Sequence, residues 1–411
     1  MLIEHEEVSL DLAARPDAYR VIRPERIPFI SYPYEWCFSQ LQDAALTTLR
    51  IQELALERGL TLKDASAYNI QFRNGRPLLI DTLSFEPYAE GTPWVGYRQF
   101  CQHFLATLAL MACRDVRLGQ LLRVHIDGVP LDLASRLLPA STRFRFGLLT
   151  HIHLHARSQA RHANDAAASA TAAGAARVSR MGLRGLIDSL RSLVRSLSWE
   201  PGGTEWGDYY EETNYSASAS EHKLELVRKL VASVRPATVW DLGGNTGLFS
   251  RLAVDAGAHV TSWDVDPAAV EKNYRHLRAE GPRPLLPLLL DLTNPSSAIG
   301  WANEERSSLC GRGPVDLVMA LALIHHLAIS NNVPLARVAE FFASLGPHLL
   351  IEFVPKHDSQ VQRLLATRED IFDGYTRAGF EAAFGRRYET IEAHPIPESA
   401  RTLYLLRRKQ A

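Results

Sequence analysis

Cysteine is scarce in this 411-residue sequence. The four cysteines lie far apart and form no Cys-x-x-Cys pair, so neither a disulfide framework nor a metal site is expected. The sequence also has no apolar run of about 18 residues, the length that spans a bilayer, and its acidic N-terminus has no basic-then-apolar leader. These absences predict a chain that neither spans a membrane nor is secreted, with the cytoplasm as its location.

An excess of charge of either sign is absent as well. The sequence contains 45 basic and 46 acidic residues, for a formal net charge of −1. It therefore lacks the overall electrostatic attraction that draws many proteins to nucleic acid. Nucleic acid is not expected as a partner.

A shift in composition divides the chain. Residues 156–180 are rich in Ala, Ser and Arg, contain no Phe, Trp or Tyr, and have few of the β-branched residues that build a core. The segment before them is rich in aromatic residues, and strand and helix patterns alternate after about residue 199. The sequence predicts a smaller α+β accessory or substrate-recognition domain at 1–155, a linker with an amphipathic helix at 156–198, and a larger domain at 199–411.

Short apolar runs in the last domain predict an α/β fold with a Rossmann-like, doubly wound sheet. Five runs are candidates for parallel strands: 238–242, 259–264, 285–291, 316–323 and 348–353. Pro287 interrupts the third run, which favours an edge position for that strand. The tail reads as two more strands joined by a tight connection, giving seven strands with an antiparallel end.

A Gly-rich turn closes the first of these strands at residues 241–247, DLGGNTG. Gly243 and Gly244 allow a ligand to approach bare backbone, and Asn245 tolerates a positive φ better than most residues. The spacing differs from the Gly-x-Gly-x-x-Gly of dinucleotide sites, and Asp241 adds a negative charge beside the turn. A cationic ligand is therefore favoured over an anionic phosphate.

Two further acids follow the second and third strands. Asp264 is placed to accept hydrogen bonds from a ribose diol, and Asp291 ends the third strand. Since the carboxyl ends of adjacent parallel strands meet in one crevice, one nucleoside ligand would meet all these acids. Asp266, followed by proline, is read instead as the N-cap of the next helix.

Four motifs occur in order along the domain: DLGGNTG, WDVDP, LLLDLT and DLVMALALIHHL. Together they resemble motifs I to IV of the class I S-adenosylmethionine-dependent methyltransferases, with Asn245 where the usual first motif has glycine. The resemblance implies S-adenosyl-L-methionine as cofactor, with Gly243 and Gly247 along its methionine part, Asp264 on the ribose and Asp291 near the adenine amino group. The predicted cofactor-binding residues are Asp241, Gly243, Gly244, Asn245, Gly247, Asp264 and Asp291. The pattern through IEFVPKHDSQVQRLLATREDIF is similar to nodulation-type methyltransferases.

Two adjacent histidines, His325 and His326, are candidate catalytic bases because they follow the fourth strand. Adjacent residues leave a strand end in different directions, so only one should face the site and the other would be a packing residue. The Asn/Asp-Pro-Pro-aromatic loop of amino-methylating nucleic-acid enzymes is missing, and no cysteine suits attack on a pyrimidine. O-methylation of a saccharide or other small-molecule acceptor is favoured. The alternatives are a protein or RNA methyltransferase and a non-catalytic cofactor-binding scaffold.

An aromatic segment at 206–215 precedes the first strand of the domain. Ring faces stack on ligands, while hydroxyl and amide groups select among them. Tyr210, Asn214 and Tyr215 are therefore predicted to cover the substrate or cofactor. The alternative is an ordinary packing segment.

The N-terminal domain contains the segment KDASAYNIQFRNGRPLLIDTLSF at 63–85. Asp64 and Asn69 have the spacing of a kinase catalytic loop, and Asp81 follows a hairpin turned by Asn-Gly. The segment resembles the aminoglycoside-phosphotransferase-like kinases. No Gly-rich phosphate loop precedes it, so a degenerate kinase-like scaffold is favoured over a working phosphotransferase that would make the chain bifunctional.

Two other features have a plain and a functional interpretation. His151, His153 and His155 would share one face of an extended strand and could bind a metal, although the polar face of a strand or loop is favoured. The helix predicted at 181–199 is basic and amphipathic. It could lie on an anionic membrane, but docking on its own protein is favoured.

Overall fold

The structure, a computed structural model, describes residues 1–15, 17–158, 177–202, 217–366 and 368–410. The chain forms two compact units, Met1–Glu200 and Pro201–Ala411. The predicted cover residues Tyr210, Asn214 and Tyr215 lie outside the described residues, as does much of the predicted linker.

The first unit is mainly helical. Its α-helices are α1 (Phe38–Glu57), α2 (Tyr97–Phe100), α3 (Ala106–Cys113), α4 (Leu121–Val124), α5 (Leu131–Leu137), α6 (Phe146–Leu148) and α7 (Arg180–Ser196). A π-helical turn, Cys101–Leu105, joins α2 to α3. The apolar face of α1 is buried, and the Gln40 side chain accepts a hydrogen bond from the Cys37 N–H at 2.9 Å, which satisfies one free donor at the start of the helix.

The described strands of the first unit form three antiparallel pairs. These are β1 (His5–Val8) with β2 (Val21–Pro24), β3 (Leu60–Leu62) with β6 (Phe85–Pro87), and β4 (Ile70–Arg73) with β5 (Arg76–Leu79). Asn74 and Gly75 join β4 to β5 with φ of 51° and 73°. Positive φ at both positions is the geometry of a tight hairpin turn, as the Asn-Gly pair predicts.

Helix α7 packs within the first unit. Its apolar stripe, including Leu183, Ile187 and Leu190, is buried, and the Gln42 side chain of α1 donates to the Val194 carbonyl at 2.9 Å. The helix therefore belongs to the first unit, although the sequence groups it with the linker. Because the stripe is covered by protein, it is not available to a membrane.

The histidine run is helical, so the extended face expected from the sequence is wrong. Residues Leu149–Leu154 form a π-helical turn. His151 bonds to the Tyr97 hydroxyl at 2.8 Å, and His153 bonds to the hydroxyls of Ser135 at 2.8 Å and Thr142 at 2.9 Å. The two imidazoles thus have hydroxyl partners, and no group of three metal-ligating side chains is found among the described residues.

A seven-stranded sheet forms the centre of the second unit. Its strands are β7 (Thr238–Leu242), β8 (His259–Asp264), β9 (Leu285–Leu289), β10 (Leu317–Ala320), β11 (His348–Phe353), β12 (Tyr388–Pro395) and β13 (Thr402–Arg408). The order across the sheet is β12-β13-β11-β10-β7-β8-β9. The strands β7 to β11 are parallel, whereas β13 runs antiparallel to β11 and β12. This order confirms the Rossmann-like prediction with its antiparallel terminal hairpin.

Helices connect most of these strands. The connecting helices are α9 (Leu248–Asp255), α10 (Pro267–Glu280), α11 (Leu335–Leu345), α12 (Ser359–Leu365) and α13 (Arg377–Phe384), and α8 (Ala217–Val234) precedes β7. All four residues of β10 are buried, as expected for a central strand covered on both faces. In the part of the chain that the structure describes, no helix has both the length and the apolar character needed to cross a bilayer.

Pro287 lies in β9, at the edge of the sheet. The Leu290 N–H donates to the Asp264 carbonyl at 2.8 Å, and alternate residues of a strand direct their N–H groups to opposite sides. The proline nitrogen therefore faces away from β8, where its missing N–H costs no ladder bond, as predicted for an edge strand.

Candidate active site

A cavity of about 550 Å³ opens where β7, β8 and β10 end. Its walls come from the turn after β7, the ends of β8 and β9, the loop after β10 and the first turns of α8. The polar and charged lining residues include Ser220, Lys223, Asp241, Asn245, Asp264, Asp291, Thr293, His326, Ser330 and Asn331. Most of the predicted cofactor residues thus meet in one place.

The glycines of the turn after β7 serve the packing of the protein as well as ligand access. Gly243 has a φ of 78° and Asn245 a φ of 48°, so both adopt the left-handed conformation. A Cβ on Gly244 would lie 2.3 Å from Ser262 Oγ and 3.0 Å from Asp241 Oδ2. The first two glycines line the cavity, but Gly244 is also required because Ser262 occupies the space that a side chain would need.

Gly247 lies directly before α9. It is the N-cap residue of α9 with a φ of 80°, and a Cβ there would lie 2.4 Å from Asn273 Oδ1 and 2.6 Å from an Arg251 guanidinium nitrogen. It is not among the residues that line the cavity. Its lack of a side chain accommodates the protein's own polar groups, and its contact along the cofactor stays a prediction.

Asp264 lies at the end of β8 and is 8% exposed. Its Oδ2 accepts a hydrogen bond from the Asn245 N–H at 2.8 Å, and its Oδ1 accepts one from the Asp266 N–H at 2.9 Å. Burial raises the pKa of this carboxyl to about 6. Asp266 accepts from the Ala268 N–H at 2.8 Å and caps α10, as its Asp-Pro sequence predicts.

Asp241 lies beside the turn and is 1% exposed. Its Oδ2 accepts from the Ser250 hydroxyl at 2.6 Å. Burial raises the pKa of Asp241 to about 6, and the charge of Asp264 adds to that shift, whereas Lys223 opposes it. Two neighbouring carboxylates with raised pKa values favour a positively charged ligand, because such a ligand stabilises their ionised forms.

Asp291 lies at the exposed side of the cavity. Its Oδ1 accepts from both the N–H and the hydroxyl of Thr293, at 2.8 and 2.6 Å. These bonds fix the carboxylate where the chain leaves β9. Asp291 and Thr293 both line the cavity. The acid after the third strand of the sequence pattern therefore lies in the same crevice as Asp241 and Asp264.

The two histidines after β10 differ in exposure to the cavity. His326 lines it, whereas His325 is 1% exposed and is not a lining residue. The rings lie 4.1 Å apart. Burial lowers the pKa of His326 to about 4, with a further contribution from Arg401. His326 is therefore unprotonated at neutral pH and can accept a proton, while His325 has the position of a packing residue.

A buried row of charges lies beside the cavity and was not predicted from the sequence. Lys223 Nζ lies 2.6 Å from Glu352 Oε2, and Arg401 lies 3.5 Å from Glu352 Oε1. Arg401 also donates to both oxygens of Asp358, at 2.7 and 3.0 Å. The four groups come from α8, β11, the loop before α12 and the final hairpin, so no short stretch of sequence contains them. Glu352 has a local signal in the sequence because it lies near the end of a strand.

The predicted kinase-like residues lie in the first unit. Asp64 accepts a hydrogen bond from the Ser66 N–H at 2.9 Å. Asn69 and Asp81 flank the β4-β5 hairpin, and both contact the Ser84 hydroxyl, at 3.5 and 2.5 Å. All three side chains therefore have partners within the unit, and in the described part of the unit every sheet has two strands.

The strand order, the Gly-rich turn and the acids at successive strand ends define the second unit as a class I S-adenosylmethionine-dependent methyltransferase domain. No family model matches the chain. The nodulation protein NoeA of Rhizobium meliloti (strain 1021) is 37% identical over 406 residues, which cover 98% of this chain and 85% of that protein. The chain belongs to the NoeA family of nodulation proteins.

Solved methyltransferase structures are similar to part of the chain. The N-methyltransferase NodS from Bradyrhizobium japonicum WM9 matches 47% of this chain and 99% of its own length, at 13% identity and a TM-score of 0.35. The magnesium protoporphyrin IX methyltransferase from Synechocystis PCC 6803, with bound SAH, matches 49% of this chain and 91% of its own, at 17% identity and a TM-score of 0.34.

Proposed function

We propose that the protein transfers a methyl group from S-adenosylmethionine to a hydroxyl oxygen of a saccharide or a related small metabolite. The observation that carries this proposal is the placement of His326. Among the described residues, His326 is the histidine that lines the cavity, and its imidazole is unprotonated at neutral pH. A hydroxyl acceptor must lose its proton during methyl transfer, so it needs a base. An acceptor atom that is already unprotonated does not.

The cavity has the groups that a sulfonium nucleoside requires. Asp264 would hold the ribose hydroxyls, Asp291 would lie toward the adenine, and Asp241 would stabilise positive charge beside the turn. Gly243 has no side chain, so a ligand could approach the backbone of the turn closely there. When bound, the cofactor supplies an electrophilic methyl group on a positively charged sulfur.

The residues of the protein then act mainly by positioning. His326 would accept the proton that the acceptor hydroxyl loses on methylation, and the bound cofactor would supply the methyl group. Because its pKa of about 4 makes it a weak base, alignment of the acceptor must supply much of the acceleration. Ser330 and Asn331 are exposed and line the cavity, so their short polar side chains suit hydrogen bonds to a hydroxylated acceptor.

We further propose that the protein acts in the cytoplasm. Its four cysteines are free, and Cys37 and Cys101 are buried as thiols. Unpaired buried thiols suit a reducing compartment.

Tritiated methyl transfer into fractionated cell extract tests the proposal. The wild-type protein should label the saccharide or small-metabolite fraction, and His326→Ala should reduce labelling about 100-fold or more. His276→Ala, which changes an exposed histidine of α10, should leave labelling unchanged. Label confined to protein or RNA would refute the acceptor class. Cofactor binding without transfer to any fraction would indicate a scaffold.

A further inference from the structure

The first unit presents two phenylalanines to solvent in a short segment, residues 143–146, which we name the Arg-Phe turn. Phe144 is 92% exposed and Phe146 is 78% exposed. They alternate with Arg143 and Arg145, whose side chains are exposed as well. Large aromatic rings are normally at least half covered, because burying them removes much apolar surface from water.

The protein holds the Arg-Phe turn in a fixed position. Thr142, directly before it, is 2% exposed, and its hydroxyl donates to the Pro139 carbonyl at 2.6 Å. Directly after it, Leu148 is buried and Gly147 lies against α7, where a Cβ would be 2.9 Å from Leu193 Cδ1. Both ends of the turn are therefore anchored in the core of the first unit.

The sequence around the Arg-Phe turn is basic. Residues 133–164 contain five arginines and no aspartate or glutamate. Among the described residues, Arg145 donates to Cys113 Sγ at 3.5 Å, and neither arginine of the turn forms an ion pair with a carboxylate. Asp132, the acid that precedes this stretch, pairs with Arg136. The positive charge of the turn is therefore not neutralised locally.

We propose that the Arg-Phe turn docks the first unit on the surface of an anionic phospholipid bilayer. The two rings would enter the interface between headgroups and acyl chains, and the two guanidinium groups would bind lipid phosphates. Two protruding rings offer far less area than the roughly 1,000 Å² that a stable protein interface buries. A bilayer needs no matching shape, so separate rings flanked by arginines are sufficient for reversible binding.

This inference differs from membrane attachment through α7, whose apolar stripe is covered by α1. It is also independent of the methyl acceptor, because every residue of the Arg-Phe turn lies in the first unit. Loss of vesicle binding with intact methyl transfer would therefore separate the two proposals.

Vesicle flotation of the full-length protein tests the inference. Wild-type protein should float with vesicles of phosphatidylglycerol and phosphatidylcholine but not with phosphatidylcholine alone, and raising the salt should weaken binding because the charges are exposed. Phe144→Ser combined with Phe146→Ser should weaken partitioning at least about tenfold. Arg143→Gln combined with Arg145→Gln should weaken it about tenfold as well.

A matched control is available in α4. Val124 is 75% exposed, so Val124→Ser removes an exposed apolar side chain outside the turn and should leave partitioning unchanged. The inference is overturned if wild-type protein ignores anionic vesicles, if it binds neutral vesicles equally well, or if the double phenylalanine variant binds like wild type. Binding of an acidic protein or RNA in place of vesicles would overturn it too.

Discussion

Replacing Lys223 with methionine removes one partner of an ion pair whose side chains are 5% and 0% exposed. The substitution keeps the length of the side chain, so its main effect is to leave Glu352 without the ammonium that lies 2.6 Å away. Breaking a buried pair in this way typically costs about 3–5 kcal/mol. Arg401 remains 3.5 Å from the other carboxylate oxygen, so we expect a loss near the lower limit, about 3 kcal/mol.

Urea unfolding measures this loss. With a denaturant slope of about 1–3 kcal/mol per molar, the midpoint should fall by about 1 M or more while the slope stays constant. Because the chain has two units, native-state hydrogen exchange of β7, β10 and β11 should be followed in parallel, since those strands report only the second unit.

Lys229 provides the control on the same helix. Its side chain is 64% exposed and lies 3.8 Å from Glu392, so Lys229→Met should change stability by less than about 1 kcal/mol. Equal effects of the two substitutions would show that burial of Lys223 does not determine the loss of stability.

Three further predictions concern the cofactor cavity. Asp264→Ala should weaken S-adenosylmethionine binding at least about tenfold by calorimetry, at about 1.5–3 kcal/mol per charged hydrogen bond. Asp266→Ala, which removes a helix cap, should instead cost about 0.5–2 kcal/mol of stability with affinity retained; the reverse result would contradict these roles. Gly244→Ala should destabilise the fold by about 1–3 kcal/mol through overpacking, whereas Gly374→Ala, which meets no atom within 4 Å, should be nearly neutral in the same thermal unfolding assay. The raised pKa values of Asp241 and Asp264, about 6, lie above the ordinary ~3.9, so protons bound in the folded state stabilise it at lower pH. That contribution is lost as the pH rises through about 6, while affinity for the cationic cofactor should rise over the same range; pH-independent affinity would show that these carboxyls do not face it.

The sequence is informative about the fold of the second unit because its signals are local. The apolar runs predict β7, β8 and β11 at the bounds that the structure shows, since strands buried on both faces are nearly continuous in apolar residues. Pro287 also predicts its own edge position. The helical conformation of His151–His155 was not predictable from the alternating histidines. A spacing of two places side chains on one face in an extended backbone, but the spacing does not itself show that the backbone is extended.

The candidate site was predictable only in part. Asp241, Asp264 and Asp291 follow strands, so the sheet itself determines where they meet. The Lys223–Glu352–Arg401–Asp358 row joins positions up to 178 residues apart, and no spacing rule connects them. For Gly247, sequence shows that a side chain is excluded, but not whether a ligand or a neighbouring residue occupies the space.

The two margins of the large sheet resist further strand addition. At β9, a neighbouring chain would meet the proline nitrogen in place of a donor. At the opposite margin, β12 is interrupted by a register shift between Thr390 and Glu392, and such bulges twist an edge out of line. Both edges should therefore disfavour edge-to-edge pairing of sheets from neighbouring molecules, and hence growth of filaments, even when the protein is concentrated.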